Sequence, residues 1–244
     1  MIEEFNKYVS NYDLNNKDIR LKYNHSFRVM ELSEKYANLL GLYEEDVKLA
    51  KTIGLLHDIG RFEQLAVYNT YNDSKSIDHA DYSVEQLFDK EEIKRFYKNK
   101  NHWDIIRLAI KNHNKFAITG VSDDRCLLHC HLIRDTDKLD ILYNWSTLHD
   151  IFPIDEDIEF SSNVITSIRN HESVKKEDIK NSSDRNACFM AFIFDIHFDE
   201  CVSEAYNYIK KVYKELKYKE IYKEAMEIID NYVKERIGDL DARY

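Results

Sequence analysis

The chain has 244 residues, 43% of them hydrophobic and 33% charged, enough to bury a sizeable core and too apolar for wholesale disorder. Acidic residues outnumber basic ones, 45 to 35, and the resulting charge of −10 gives no long-range attraction to nucleic-acid backbone or anionic lipid. Only 5 Gly and 1 Pro occur, too few to turn a many-stranded sandwich or barrel, so the composition predicts an all-α protein.

In chain order, residues 21–40 carry an apolar row at helical spacing, His25, Val29, Leu32, Tyr36 and Leu39, which Gly41 stops. A second helix is expected from Glu44 to Ile59, with Val47, Ala50, Gly54 and His57 on one stripe and Leu49, Ile53 and Leu56 widening it. Residues 61–77 lose the period and gather Asn, Asp and Ser, which predicts a long loop, the kind of segment that acts as a lid or specificity element. Helix is expected again over 78–88, 91–98 and 102–113, where Ile106, Ala109, Ile110 and His113 share a face. After a turn at Gly120, one long helix covers 123–144, and Pro153 marks the break behind it. Beyond 154 lie three or four further helical patterns. Phe189, Phe192, Ile193 and Ile196 read there as core packing, and the charged run 210–224 as a solvated face. The expected division is a helical domain over 1–150 and a C-terminal helical extension over 151–244, packed on the same core.

Four cysteines are present, Cys126, Cys130, Cys188 and Cys201. The first two, with His129 and His131 beside them, invite a zinc reading, but structural zinc sites add a second ligand pair far along the chain. Small core hydrophobes with reduced thiols are the favoured reading. The N-terminus has no apolar signal-peptide core, and no run is long enough to span a membrane, so a cytoplasmic protein is expected.

Chemistry concentrates in five segments. His25, the pair His57–Asp58, His79, His113 and an aspartate within DTDKLD (135–140) each sit on otherwise apolar helical stripes. A second His-Asp pair, His149–Asp150, runs into an acidic, proline-containing stretch and reads as surface. Imidazole and carboxylate together suit divalent transition metals, and a carboxylate next to a histidine can bridge two ions through its two oxygens, which makes Asp58 the bridging candidate. Ligands so far apart in sequence meet only if the metal lies between helices of a bundle. Periodicity does not choose between Asp135 and Asp137.

These residues resemble the HD superfamily of metal-dependent phosphohydrolases. His25, then His57–Asp58, then a final Asp follow that family's pattern, and LLHDIG, DHA (78–80), AIKNH (109–113) and DTDKLDIL look like its successive motif segments, over about residues 20–145. His79 and His113 are similar to the additional ligands of a two-metal subgroup. The resemblance implies an HD-domain helical bundle in which His25, His57, Asp58 and the last Asp hold one ion, and Asp58, His79 and His113 the other. It also matches TDKL to the family's final motif, selecting Asp137 with Asp135 as runner-up. The Gly-Tyr-Pro signature of the cyclic-di-GMP phosphodiesterase branch is missing.

The function expected from this resemblance is hydrolysis of a small phosphate ester, a nucleotide or related compound, with one or two divalent ions (Fe, Mn, Co, Ni or Zn) and a metal-bound hydroxide attacking phosphorus in line. Asp58 would also accept the proton. Arg61, directly after HDIG, is the favoured phosphate contact because guanidinium matches phosphate oxygens bidentately; Lys75 and Lys138 rank behind it. Tyr68 and Tyr71 could stack on a base, although the aromatic residues of a chain with 17 Tyr more often simply pack. The alternatives are a di-iron HD-type oxygenase and a nucleotide-sensing binding protein without turnover. No nucleic-acid polymer or membrane is expected as partner, and a homodimer is left open.

Overall fold

The structure is a computed structural model that describes residues 1–148 and 158–238. The pair His149–Asp150 and Pro153, singled out above, lie outside the described residues. Among the described residues the chain is helical, without a strand, as the composition predicts. It divides into two compact units, Met1–Asp137 and Lys138–Tyr244.

The first unit opens with α1 (Ile2–Val9), which was not foreseen; Phe5 and Val9 are buried there. Phe5 meets Phe27 and Phe62 edge-on, with ring centroids 5.7 and 5.9 Å apart. Helix α2 spans Lys17–Leu39 and starts earlier than its apolar row, because the Asn16 side chain accepts from the backbone N–H groups of Asp18 and Ile19. Gly41 follows it with φ +67°, a left-handed turn that a β-carbon disfavours. Helix α3 (Glu44–Leu56) pairs closely with α2. Gly54 makes that approach possible, since a β-carbon there would lie 2.7 Å from Ser33 Oγ and 2.9 Å from the carbonyl oxygen of Val29.

The loop expected over 61–77 is corrected in its first half: Gly60–Tyr68 is a helix, α4. Phe62 and Leu65 face the core, and the polar letters that masked this period have partners of their own. Gln64 is buried and hydrogen-bonded, while Glu63 accepts from Tyr12 Oη at 2.8 Å. Asn69, in the left-handed region at φ 51°, ends the helix. Only the connection from Asn69 to Asp78 remains irregular, apart from a 3₁₀ turn at Asp73–Lys75. Helix α5 (His79–Val84) follows, capped by the Asp78 carboxylate, and Gly60 lets α4 come close to it, because a β-carbon there would lie 2.6 Å from the backbone nitrogen of Ser83. Short α6 (Ile93–Phe96) and then α7 (Trp103–Asn112) lead to α8 (Asp124–Trp145).

Helix α8 continues past the boundary between the units. Its N-terminal part gives Cys126, Cys130 and Ile133 to the first core. Trp145, near its end, packs on Phe189 at 5.6 Å and donates its indole N–H to Asn186 Oδ1, both in the second unit. The units therefore meet in sequence inside a helix. The second unit also holds α9 (Ser162–Arg169), α10 (Ser182–Ala191), α11 (Asp199–Glu215) and α12 (Lys219–Ile237). Among the described residues no helix is long and apolar enough to cross a membrane.

Candidate metal centre

Three of the expected histidines stand at helix termini. His57 and His113 follow the last residues of α3 and α7, where backbone carbonyls run out of intrahelical partners. Each ring turns back on its own helix: His57 Nδ1 donates to the carbonyl of Gly54 at 2.8 Å, and His113 Nδ1 to that of Ile110 at 2.7 Å. A carbonyl only accepts, so the proton sits on Nδ1 and Nε2 carries a bare lone pair. His79, the first residue of α5, has Nδ1 2.6 Å from Asp73 Oδ2, which fixes the same tautomer by a carboxylate. His25 reaches the group from the middle of α2, and Asp137 from α8.

The Nε2 atoms converge in two pairs. His25 Nε2 lies 3.1 Å from His57 Nε2, and His79 Nε2 lies 3.0 Å from His113 Nε2. Asp58, between them, is 2% exposed. Its Oδ2 is 3.5 Å from His25 Nε2 and 3.7 Å from His57 Nε2. Its Oδ1 is 3.6 Å from both His79 Nε2 and His113 Nε2. Asp137 Oδ1 completes the first pair, 3.2 Å from His25 Nε2 and 3.7 Å from His57 Nε2. Three overlapping donor groups result: His25, His57, Asp58; His57, His113, Asp137; and Asp58, His79, His113. Asp135 is fully buried and belongs to none of them.

The donor set fits a metal. Two ligand bonds of about 2.1 Å at about 90° separate their donor atoms by about 3.0 Å, which is the spacing within each histidine pair. Asp58 Oδ1 is buried and receives no hydrogen bond, an arrangement that costs about 1–3 kcal/mol unless a cation satisfies the oxygen. Nitrogen and oxygen donors without thiolate point to Mn, Fe, Co, Ni or Zn.

The electrostatics keep the ligands in their binding forms. Burial alone would raise the Asp58 carboxyl, but the Lys22 ammonium and the surrounding imidazoles outweigh it and hold Asp58 well below the usual carboxylate range. Asp137 is likewise well below it, because His25 and His57 outweigh burial. Burial lowers His57 and takes His79 down to about 4, which favours the neutral form that a metal-ligating imidazole needs.

Two cations flank Asp58. Lys22 Nζ is 2.7 Å from Oδ2, and Arg61 Nε is 3.6 Å from Oδ1. Lys22 was missed at the sequence level; its place one helical turn before His25, on the same face of α2, was the available signal. Asp73 was missed as well, hidden in a stretch read as loop. Of the expected phosphate contacts, Arg61 gives Nη1 to Gln64 Oε1, the Tyr71 carbonyl and Asp73 Oδ1, and keeps Nε buried without a hydrogen-bond partner. Lys75 is exposed on the 3₁₀ turn. Lys138 is buried and pairs with Asp195 at 2.8 Å, within the second unit, where its charge is neutralised. The Tyr71 ring lies 5.6 Å from the Arg61 guanidinium and 5.9 Å from Lys22 Nζ, and its hydroxyl donates to the Asp18 carbonyl, while Tyr68 is 43% exposed.

The alternative zinc reading of the CLLHCH segment finds no support among the described residues. Cys126 and Cys130 are buried in the first core without a third ligand, and His129 Nε2 bonds Asp46 Oδ1 at 3.0 Å.

The first unit is thus a helical domain that gathers four imidazoles and the Asp137 carboxylate around Asp58, a set of groups that could hold a metal ion. In comparison with protein families, residues 23–142 match the HD domain, a helical fold. No curated protein and no solved structure matches the chain.

Proposed function

We propose that the protein is a metal-dependent phosphohydrolase of the two-ion subgroup, acting on a small phosphate ester such as a nucleotide. The observation that carries this reading is Asp58, whose two oxygens face two different histidine pairs: Oδ2 faces His25 and His57, and Oδ1 faces His79 and His113. A carboxylate so placed would help hold two cations, one together with His25, His57 and Asp137 and the other together with His79 and His113.

Bound divalent ions supply the Lewis acidity that polarises a phosphoryl oxygen and lowers the pKa of a water from about 15.7 toward about 7. The chain's own residues do the rest. The Nδ1 hydrogen bonds to Gly54, Ile110 and Asp73 hold three imidazoles in the tautomer that presents Nε2. Asp58 is held well below the usual carboxylate range and turns one oxygen to each histidine pair, so it would serve to hold the ions and not as base for the attacking water. Arg61 Nε and Lys22 Nζ, on opposite oxygens of Asp58, are the cations beside which the negative charge of a phosphate would come to rest. A protein of net charge −10 needs that local reversal of field to admit an anion, which favours a small ester over a polymer.

The test is to purify the protein, count its metals, and measure phosphate release from a panel of nucleotides with Mn, Co, Ni or Fe added. Release is expected, and His57→Ala or Asp58→Ala is expected to lower it by about a hundredfold or more as ion binding is lost. Turnover untouched by either substitution would remove this site from the chemistry. Oxygen consumption with a coupled-iron EPR signal and no phosphate release would replace hydrolysis by the di-iron oxygenase.

A further inference from the structure

The histidines of the centre are not supported alike. His57 and His113 lean on carbonyls of the helices that end at them, neutral acceptors in regular backbone. His79 leans on a carboxylate, Asp73, which sits on the irregular connection between α4 and α5. Asp73 is itself held: Arg61 Nη1 donates to its Oδ1 at 3.0 Å and Gln64 Nε2 to the same atom at 3.1 Å. Gln64 is fully buried on α4, and its amide also reaches Ser76 Oγ and the Ile77 carbonyl, both at 2.9 Å. With the Arg61 bond to the Tyr71 carbonyl, the connection is fastened to α4 at four residues, Tyr71, Asp73, Ser76 and Ile77, with Asp73 aimed at His79. A carboxylate on the far nitrogen of a metal-ligating imidazole fixes ring orientation and strengthens the ligand.

We infer that Asp73 is a positioning residue for one ion only, the ion held by Asp58, His79 and His113, and that Arg61 acts through Asp73 on that ion. The assignment rests on the two-ion reading above. Arg61, expected as a free phosphate contact, has Nη1 committed to the connection and leaves Nε toward Asp58. The group of His25, His57, Asp58 and Asp137 is carried by α2, α3, the turn after α3 and α8, and does not involve the connection.

Manganese titration of the full chain, by calorimetry and by the EPR signature of a coupled Mn pair, tests this in the wild type, Asp73→Asn, Asp73→Glu and His79→Ala. The wild type is expected to take two Mn. Asp73→Asn is expected to hold the first with unchanged affinity and the second about 10–100-fold more weakly, with the coupled signal reduced. Asp73→Glu is expected to restore part of it, and His79→Ala to lose the second ion. Independently of any metal, the ¹⁵N spectrum of His79 near neutrality should show one tautomer, protonated at Nδ1, in the wild type and a mixture in Asp73→Asn. Two ions bound by Asp73→Asn as tightly as by the wild type, or equal weakening of both, would overturn the role of Asp73 and leave the two-ion reading standing. A single ion in the wild type would overturn both.

Discussion

Lys22 and a divalent ion compete for the same oxygen. The ammonium lies 2.7 Å from Asp58 Oδ2 with its side chain 20% exposed, so a metal at that oxygen must first displace a charge-assisted hydrogen bond. Such a bond contributes about 1.5–3 kcal/mol. Lys22→Met is therefore expected to tighten Mn binding by about tenfold, the equivalent of about 1.4 kcal/mol, and a titration showing equal or weaker binding would mean that the lysine supports the site. A second residue links pH to stability. His129 is buried against Asp46, and burial lowers its pKa below 6.5 despite that carboxylate. The folded state then favours the neutral ring. As pH falls below 6.5 the unfolded chain binds a proton that the folded chain does not, so stability is complete above 6.5 and declines below it. The urea midpoint of metal-free protein is expected to fall from about pH 7.5 to about pH 5.5, more steeply in the wild type than in His129→Gln. Parallel slopes would show that other groups set the acid limb.

At the scale of elements, the centre depends on close helix pairs. His25 and His57 meet because α2 and α3 approach over Gly54, where a β-carbon would stand 2.9 Å from the Val29 carbonyl, an atom that backbone geometry holds in place. Gly54→Ala is expected to cost about 1–3 kcal/mol by overpacking and, by pushing the helices apart, to weaken the ion at His25 and His57. Denaturant melts and a metal count check both effects, and unchanged affinity would show that the pair gives elsewhere. The same logic explains the helix that was read as loop. In α4 only Phe62 and Leu65 are clearly apolar and buried, and the polar positions between them are satisfied by Tyr12 and by the 71–77 segment. A period that short, with partners distant in sequence, leaves little trace in composition.

For the whole molecule, binding to the folded first unit alone has a local signature. At free Mn about one hundred times Kd, a single site adds about 2.7 kcal/mol to stability. Hydrogen exchange is expected to slow on Mn addition across α2, α3, α5 and α7, which carry or adjoin ligands, and to stay unchanged in α9–α12, with EDTA reversing the gain. Protection appearing in the second unit instead would place the ions outside the centre described. Trp145 and Phe189 pack within that second unit and offer a fluorescence probe of it that is separate from the ligand set.

How much of this was legible in the sequence follows from range. The paucity of Gly and Pro determined the helical class, and apolar stripes located α2, α3, α7 and α8 because periodicity is a local property of the chain. The candidate ligands His25, His57, Asp58, His79 and His113 stood out for the same reason, as polar residues on apolar faces. Between Asp135 and Asp137 the stripe was indifferent, since both lie on faces with apolar neighbours; the family resemblance chose Asp137, and the turn of α8 brings its Oδ1 to 3.2 Å from His25. For Lys22 the only local signal was its place one turn before His25, while Asp73 and the commitments of Arg61 belong to tertiary structure alone, because charged groups on a solvated sequence look alike until folding shows which of them is held against a buried opposite charge.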